Sequence, residues 1–372
     1  MSTYVVTNPA TGTIEREYPT ASDAECRAAI AAADAAHASW AALPLADRAA
    51  AIGRVGQLHI DRARQLGEVI NREMGKPLDS AQGEVEFSGS IYQYYADHAA
   101  ELLADLPLPL AGGGGSAYVR KASVGALLGI MPWNYPAYQV ARFAGPNLVA
   151  GNTVILKPAP QCPESAQLIA QIFTDAGVPA GAYVNLFASD AQIADMIADP
   201  AIRGVSLTGS ERADAAVAEV AGRHLKKCVL ELGGSDAFIL LSTDDIDAVV
   251  ADAVSARTDN NGQACNAAKR LVIVDNLYDE FAAKFTEAML ALPVDYPLSS
   301  LRAADVLSAQ VEQAVSQGAV LTTAGQRDGA FRVGFYLRGQ VQSLPQGGRC
   351  GRVEGDAVGL DLCFRHRDAA GA

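Results

Sequence analysis

The residues best suited to covalent chemistry at a carbonyl carbon are a cysteine and a glutamate. Cys265 ends the segment NGQAC, and Glu231 lies thirty-four residues earlier, in the segment LELGG. A thiolate can attack a carbonyl carbon and a carboxylate can activate water, so the pair suggests catalysis through a covalent thiohemiacetal or thioester. A free cysteine is usually buried and inert, and a glutamate at a strand end is commonly a surface or ion-paired residue. The two residues therefore need support from other segments.

Further segments place polar or small residues where apolar runs end. Asn134, in the segment GIMPWNYP, follows one apolar run and can direct its amide at a developing oxyanion. A second run ends on Lys157, and a third ends in the turn TGS at residues 208–210, before a helical segment. The start of a helix is a fitting place for a pyrophosphate. Asparagine before Tyr-Pro is also a common turn former, so the ordered set of motifs is more specific than any one of them.

In this order the motifs resemble those of the aldehyde dehydrogenase superfamily, with the succinate-semialdehyde dehydrogenase type as the suggested subgroup. The resemblance implies that Cys265 attacks the aldehyde and that Asn134, with the backbone amide of Cys265, stabilises the oxyanion. It implies that Glu231 activates the water that hydrolyses the thioester. Because Glu231 ends an otherwise apolar strand, we expect its carboxylate to be partly desolvated and hence a stronger base.

The resemblance also implies a nicotinamide cofactor, either NAD or NADP. Lys157 would bind the adenosine ribose, and Pro160 stands where NAD-preferring relatives often carry a glutamate. Loss of that carboxylate removes a repulsion against a 2′-phosphate, so NADP is permitted; alternatively, the prolines here only rigidify the strand exit. Trp133 either packs beside the nicotinamide or belongs to the core. The predicted cofactor-binding residues are Met131, Pro132, Trp133, Lys157, Pro160, Thr208, Gly209, Ser210 and Leu232.

Two arginines are candidates for binding the substrate. Arg142 matches the position at which similar semialdehyde dehydrogenases pair an arginine with the distal carboxylate, and a bidentate guanidinium suits that role. Arg270, five residues after Cys265, is the second candidate. Either residue could instead be an ordinary surface arginine. Asp214 departs from the family, which usually has a glycine at this point of the phosphate turn, and an acid beside a pyrophosphate would weaken cofactor binding.

The order of apolar runs and helical segments predicts the fold class. From residue 125 onward the two alternate, which is typical of an α/β protein with a Rossmann-like, doubly wound parallel sheet. The active site would lie between this sheet and a second α/β block, beyond the carboxyl ends of the strands. The predicted domains are an NAD(P)-binding domain at 1–107 and 124–234, an oligomerisation β-arm at 108–123, a truncated catalytic domain at 235–330 and an atypical tail at 331–372.

Two shorter patterns complete the organisation. The glycine run at 112–115 neither follows a strand nor opens a helix, so we interpret it as a turn in the β-arm rather than as a phosphate loop. Subunits of the family commonly associate through such an arm, which implies a homo-oligomer. Near the N-terminus a short hairpin is expected, and Ser22 with Glu25 predicts a capping box at the start of an alanine-rich helix.

Composition excludes several classes of function. The 372 residues are 50% hydrophobic and carry a net charge of −13, which argues against binding to nucleic acid or to an anionic membrane. The six cysteines lack C-x-x-C spacing and there are five histidines, so no metal site is expected. No signal peptide is evident, and no apolar run reaches the roughly 18 residues of a membrane span. We therefore predict a cytoplasmic protein that acts on a small aldehyde.

The C-terminal part departs from the family pattern. The resemblance is close from about Thr7 to Val294 and stops after about Phe331. The tail lacks the family's E-x-F-G-P motif and contains arginines but no lysine, so we interpret it as altered or truncated. Missing strands would leave sheet edges unpaired, which works against assembly and activity. Besides oxidation of succinate semialdehyde to succinate, two alternatives stay open: a silent family member that binds nucleotide or a partner subunit, and an acylating dehydrogenase that uses coenzyme A.

Overall fold

The computed structural model describes residues 4–112, 114–293 and 296–330, and the backbone of two later strands, Phe335–Arg338 and Leu362–His366. These residues cluster into two compact units. The first comprises the residues up to Thr7, Ile14–Glu73 and Leu78–Glu231; the second comprises Asn8–Thr13, Met74–Pro77 and the chain from Leu232 onward. Each unit is described separately below, and the predicted domain limits stay a prediction.

The first unit begins with an antiparallel hairpin, as predicted, formed by β1 (Tyr4–Thr7) and β2 (Ile14–Tyr18). Ser22 and Glu25 form the predicted capping box, because each side chain accepts the backbone N–H of the other residue. This box starts α1 (Asp23–Ala42). The helices that follow are α2 (Leu45–Asp61), α3 (Ala63–Met74), α4 (Leu78–Asp97) and α5 (Ala99–Leu102).

A second antiparallel hairpin joins β3 (Leu106–Leu108) to β4 (Ala117–Val119). The glycine run at 112–115 lies between these strands and opens no helix, although Gly113 lies outside the described residues. Leu106 and Tyr118 are more than half exposed. The role of this hairpin in oligomer formation stays a prediction.

A parallel sheet lies at the centre of the first unit, and it confirms the predicted fold class. Its strands are β5 (Ala126–Ile130), β6 (Thr153–Lys157), β7 (Tyr183–Asn185), β8 (Ile202–Thr208) and β9 (Lys227–Glu231), in the order β7-β6-β5-β8-β9. The helices between them are α6 (Tyr138–Val149), α7 (Pro163–Asp175), α8 (Asp190–Ala198) and α9 (Glu211–Arg223). Every position of β6 is buried, as expected for a strand whose sheet is covered on both faces.

The carboxyl ends of these strands meet at one edge of the sheet. Ile130, the last residue of β5, pairs in register with Lys157 of β6 and with Leu207 of β8. Thr208, the last residue of β8, pairs with Glu231, the last residue of β9. The predicted polar residues therefore follow or occupy neighbouring strand ends, where open α/β sheets bind their ligands.

The second unit is also α/β. Its elements are β10 (Asp236–Leu240), α10 (Ile246–Thr258), a 3₁₀ turn (Asp259–Gly262), β11 (Ala268–Val274), α11 (Asp275–Leu290), α12 (Leu301–Ser316), β12 (Val320–Thr323), β13 (Phe335–Arg338) and β14 (Leu362–His366). The strands form a sheet in the order β10-β11-β14-β13-β12. Leu271, Ile273, Phe281 and Phe285 are fully buried in its core.

Most of the predicted atypical tail lies outside the described residues. Within it, β14 runs parallel to β11, and β13 runs antiparallel to β12. Neither segment was predicted as a strand from the sequence. A short strand is held by hydrogen bonds to its neighbours, so it does not need an alternating sequence pattern of its own.

Candidate active site

Cys265 lies in a loop of the second unit that other residues hold in a fixed conformation. Asn260 and Asn261 have left-handed backbones with φ of 50° and 58°, and they turn the chain toward the cysteine. The loop continues through Gln263, which is fully buried and accepts the backbone N–H of Ser299 at 2.9 Å. The thiol-bearing residue itself is half-buried and makes no disulfide. A cysteine on an anchored, accessible loop meets the steric requirement for a nucleophile.

A buried lysine, which the sequence analysis did not identify, also fixes this loop. The Nζ of Lys269 donates to the carbonyl oxygens of Ala264, at 3.0 Å, and Cys265, at 2.8 Å. Burial, together with the nearby charge of Arg257, lowers the pKa of Lys269 from its ordinary value. Gly262 has φ of 78°, and a Cβ there would meet Nη1 of Arg257 at 2.5 Å. Position 262 of the NGQAC segment therefore requires glycine, because any other residue would be strained at this φ and its Cβ would clash with Arg257.

Asn134 is held in the first unit by the start of a helix. It lies between the end of β5 and α6, and it is 8% exposed. The Oε1 of Glu84, on α4, accepts the backbone N–H groups of Ala137 at 2.9 Å and Tyr138 at 3.1 Å. A carboxylate at a helix N-terminus is stabilising, and here it also anchors the turn that carries Asn134. No local pattern indicates this cap, because Glu84 is 50 residues from Asn134 in sequence.

Glu231 ends the edge strand β9. Its side chain is 49% exposed, so the carboxylate is removed from solvent only in part. An edge strand covers its terminal residue from one side only, which leaves the carboxylate in contact with solvent. The Oε2 of Glu231 lies 3.5 Å from Nη2 of Arg142, on α6. The Arg142 guanidinium lies over the Tyr138 ring, 5.6 Å from the centroid.

A cavity of about 650 Å³ in the first unit contains several of the predicted residues. Its lining includes Met131, Arg142, Thr208 and Glu231, and also the buried Gln139. Tyr138 and Arg142 are four residues apart on α6, a helical spacing that could have identified the tyrosine as the partner of the guanidinium. The structure therefore brings a predicted substrate ligand and the predicted base together at the carboxyl edge of the sheet.

Lys157, the predicted ribose ligand, is buried at the end of β6, with its side chain 7% exposed. Its Nζ lies 3.1 Å from Oδ1 of Asp190, in the first turn of α8, and Asp190 is largely exposed. The backbone carbonyl of Lys157 accepts the N–H of Met131 at 3.1 Å. This hydrogen bond fixes the start of the segment that carries Pro132 and Trp133. Pro160 is half-buried just beyond the strand.

The start of α9 fits a pyrophosphate. Ser210 caps the helix by accepting the backbone N–H of Ala213, and Gly209 precedes it. A Cβ at Gly209 would lie 3.1 Å from the Leu207 side chain, so the turn has little room for a larger residue. A helix N-terminus combines orphan N–H groups with the positive end of the helix dipole, both of which favour an anion.

Asp214, which replaces a glycine of the family's phosphate turn, is buried in the first turn of α9. It is 2% exposed and shares the buried face of α9 with Val217 and Ala221. Among the described residues, neither of its carboxylate oxygens has a hydrogen-bond partner. Desolvation raises the pKa of Asp214 from 3.8 to about 6. The helical spacing of residues 214, 217 and 221 already indicated an inward-facing position.

Replacing Asp214 with asparagine should stabilise the protein at neutral pH. The folded carboxyl group binds its proton more tightly than the unfolded one, so its contribution to stability falls as the pH rises from about 4 to about 6. A rise in pKa from 3.8 to about 6 corresponds to at most about 3 kcal/mol in the free energy of unfolding. Urea unfolding at several pH values should show the variant more stable at pH 7 and equal to the wild type near pH 4. A gain independent of pH, or the same gain in Asp195→Asn on the exposed face of α8, would contradict this interpretation.

Besides Cys265, two residues on the predicted site list belong to the second unit. Arg270 is half-buried on β11, and its Nε donates to the carbonyl of Ser235 at 2.7 Å. Leu232, the first residue of this unit, is 45% exposed. Neither observation tests the predicted roles of these residues, which stay predictions.

A larger cavity of about 1090 Å³ in the first unit contains none of the predicted residues. Its charged groups already bind one another: Arg16 and Arg72 both pair with Glu164, and Arg72 also pairs with Glu15. Tyr18 donates to the same Glu164 carboxylate. A charge network that satisfies itself is typical of a structural role, so this cavity is not the candidate site.

In the part of the chain that the structure describes, no cluster of histidine, cysteine and acidic side chains could hold a metal ion. Over the same residues, no helix combines the length and apolar character needed to cross a bilayer.

Comparison with known sequences identifies the family. Residues 1–345 match the aldehyde dehydrogenase family. The match continues beyond Phe331, where the sequence analysis expected the resemblance to stop. The chain is 49% identical over 340 residues to a succinate-semialdehyde dehydrogenase [NADP(+)] of Deinococcus radiodurans, covering 88% of this chain and 71% of that protein. It is 40% identical to the enzyme of the same name from Mycobacterium avium, covering 86% and 70%.

Two solved structures are similar to this chain in fold. A structure described as giving insight into cofactor and substrate selection by Gox0499 superposes with a TM-score of 0.91 at 36% identity, covering 98% of this chain and 82% of that chain. Succinic semialdehyde dehydrogenase from Streptococcus pyogenes, solved in complex with NADP⁺, gives a TM-score of 0.89 at 33% identity, covering 98% and 81%.

Proposed function

Because the chain belongs to the aldehyde dehydrogenase family, we propose that it oxidises succinate semialdehyde to succinate with NADP⁺ or NAD⁺. One observation carries the choice of substrate: Arg142 and Glu231 line the same cavity, and their side chains meet beside the carboxyl end of β9. A guanidinium there suits an aldehyde whose far end is a carboxylate. The names of the sequence relatives support the same substrate and NADP⁺.

In the proposed reaction the chain supplies a nucleophile, an oxyanion site and a base. The sulfur of Cys265 forms a bond to the aldehyde carbon, and the carbonyl oxygen becomes an oxyanion. The side-chain amide of Asn134 and the backbone N–H of Cys265 donate to that oxygen, and each such donor contributes about 2.7–4 kcal/mol in comparable sites. When bound, the nicotinamide accepts the hydride that leaves the carbon, which converts the thiohemiacetal to a thioester.

The second half of the reaction releases the product. Water attacks the thioester carbon, the carbon–sulfur bond breaks, and the electron pair returns to the sulfur of Cys265. Glu231 takes the proton from the attacking water. Met131 and Thr208, on the wall of the same cavity, are proposed to contact the nicotinamide portion of the cofactor, and Lys157 the adenosine ribose.

The test is oxidation by the purified full chain of succinate semialdehyde, butanal and benzaldehyde with either cofactor. We expect reduced nicotinamide and an equal amount of succinate, with the highest kcat/KM for succinate semialdehyde and NADP⁺. Cofactor binding without turnover would favour the silent alternative. Formation of succinyl-coenzyme A when coenzyme A is added would favour the acylating alternative. The homo-oligomeric state and the cytoplasmic location stay predictions.

A further inference from the structure

The ion pair between Arg142 and Glu231 joins two residues to which the proposed function gives separate tasks. Arg142 would bind the distal carboxylate of the substrate, and Glu231 would activate water. Their side chains meet at 3.5 Å. While Oε2 of Glu231 faces Nη2 of Arg142, the carboxylate keeps the orientation that this pair gives it.

The surroundings of the pair allow the Glu231 side chain to move while the Arg142 guanidinium stays in place. The Arg142 guanidinium lies against the Tyr138 ring, and α6 carries both residues, so the arginine has a second contact that does not depend on Glu231. Glu231 ends an edge strand and is 49% exposed, so its side chain can rotate into solvent-accessible space. The backbone of Glu231 stays fixed during that rotation, because its carbonyl accepts the N–H of Gly209 at 3.0 Å.

We propose that Arg142 is a positioning residue that responds to the substrate: it holds the Glu231 carboxylate and releases it when the substrate carboxylate binds the guanidinium instead. This inference rests on the proposed function. An exposed ion pair at this distance is weak, whereas a bidentate guanidinium–carboxylate pair is stronger, so the substrate can displace Glu231. Recognition of the distal carboxylate is thereby linked to the availability of the base.

The consequence concerns hydrolysis of the thioester. Glu231, once released, can accept the proton of the water whose oxygen bonds to the thioester carbon, while the sulfur of Cys265 leaves with the electron pair. An aldehyde without a distal carboxylate leaves Glu231 bound to Arg142, and its thioester should be hydrolysed more slowly. Substrate selection then acts in the hydrolysis step as well as in binding.

The experiment compares wild type with Arg142→Gln, using propanal and succinate semialdehyde with NADP⁺. Rapid quench measures the rate constant for thioester hydrolysis separately from that for cofactor reduction. For propanal, we expect hydrolysis about 2- to 5-fold faster in the variant, the range for loss of an exposed ion pair. For succinate semialdehyde, we expect KM to rise at least about tenfold, the factor for one charge-assisted hydrogen bond. Acetate should accelerate propanal hydrolysis in the wild type and have no effect in the variant.

Two further variants serve as controls. Arg64→Gln removes an exposed arginine that pairs with Glu68 on α3 and does not line this cavity, and it should change neither rate. Arg142→Lys keeps the charge but loses the planar fork, so it should retain part of the effect of acetate. This second variant also covers the case in which the glutamine variant folds poorly.

The outcomes separate the inference from the proposed function. Equal rates of propanal hydrolysis in the wild type and Arg142→Gln, with no effect of acetate, would overturn the inference even if succinate semialdehyde is a good substrate. Faster propanal hydrolysis with an unchanged KM for succinate semialdehyde would overturn release by the substrate. Failure of the wild type to oxidise succinate semialdehyde at all would refute the proposed function, and the propanal measurements would still report whether Arg142 holds Glu231.

Discussion

Replacing Cys265 with alanine should abolish aldehyde oxidation. Without the sulfur no thiohemiacetal forms, and the hydride cannot leave from a covalently held carbon. Loss of a catalytic nucleophile lowers kcat by a factor on the order of 10⁴ or more, so steady-state production of reduced nicotinamide should fall below detection. The loop should stay folded, because its anchors are the side chains of Gln263 and Lys269 rather than the thiol.

The matched control is Cys26→Ala, which removes a buried thiol from α1 of the first unit. It should lose a little stability and keep full activity. Circular dichroism and NADP⁺ protection against thermal unfolding should be the same for Cys265→Ala and wild type. Cofactor reduction by Cys265→Ala at a substantial fraction of the wild-type rate would contradict the assignment of the nucleophile.

Replacing Glu231 with glutamine should stop the reaction after its first half. Glutamine keeps the size of the side chain but cannot take a proton from water, and a general base contributes about 10²- to 10⁴-fold to its step. Stopped-flow absorbance should show a burst of reduced nicotinamide close to one equivalent per subunit. After the burst, steady-state turnover should be about 10²- to 10⁴-fold slower than in the wild type.

The control for this variant is Glu219→Gln, on the exposed face of α9, where Glu219 pairs only with Arg223 of its own helix. It should show the wild-type turnover rate. Full turnover by Glu231→Gln would show that another group activates the water. Loss of the burst itself would show that Glu231 acts before hydride transfer.

The strand ends that position the site could be predicted from local sequence. Apolar runs that stop at a polar or glycine-containing segment predicted the ends of β5, β6 and β8 to within one residue, because a buried parallel strand must be apolar until it leaves the sheet. The end of β9 was predicted equally closely, although most of that strand is exposed. Asn134 and Lys157 are therefore located as expected. The predicted roles of these residues came from the family resemblance and stay predictions.

Side-chain contacts between distant segments could not be predicted. The pairing of Arg142 with Glu231 depends on how α6 packs beside the end of β9, and the cap that Glu84 provides for α6 depends on the position of α4. Both contacts join residues separated by more than fifty positions, and no periodicity encodes them. The exposure of Glu231 likewise follows from the edge position of β9, which is a property of the sheet order.

The burial of Asp214 was not predicted. Its position in the phosphate-turn motif suggested an acid beside a pyrophosphate, whereas the helical period of α9 places its side chain on the buried face. Two patterns overlapped in one segment, and the period of the helix was the better guide to burial.

The central claim is that Cys265 carries the acyl group and Glu231 is needed to release it. The most direct measurement is mass spectrometry of Glu231→Gln, mixed with NADP⁺ and succinate semialdehyde and quenched in acid. We expect an increase in mass equal to one succinyl group per subunit, located by peptide mapping on Cys265 and removed by hydroxylamine. An unmodified protein after a full burst of reduced cofactor, or an acyl group on a different residue, would contradict the account.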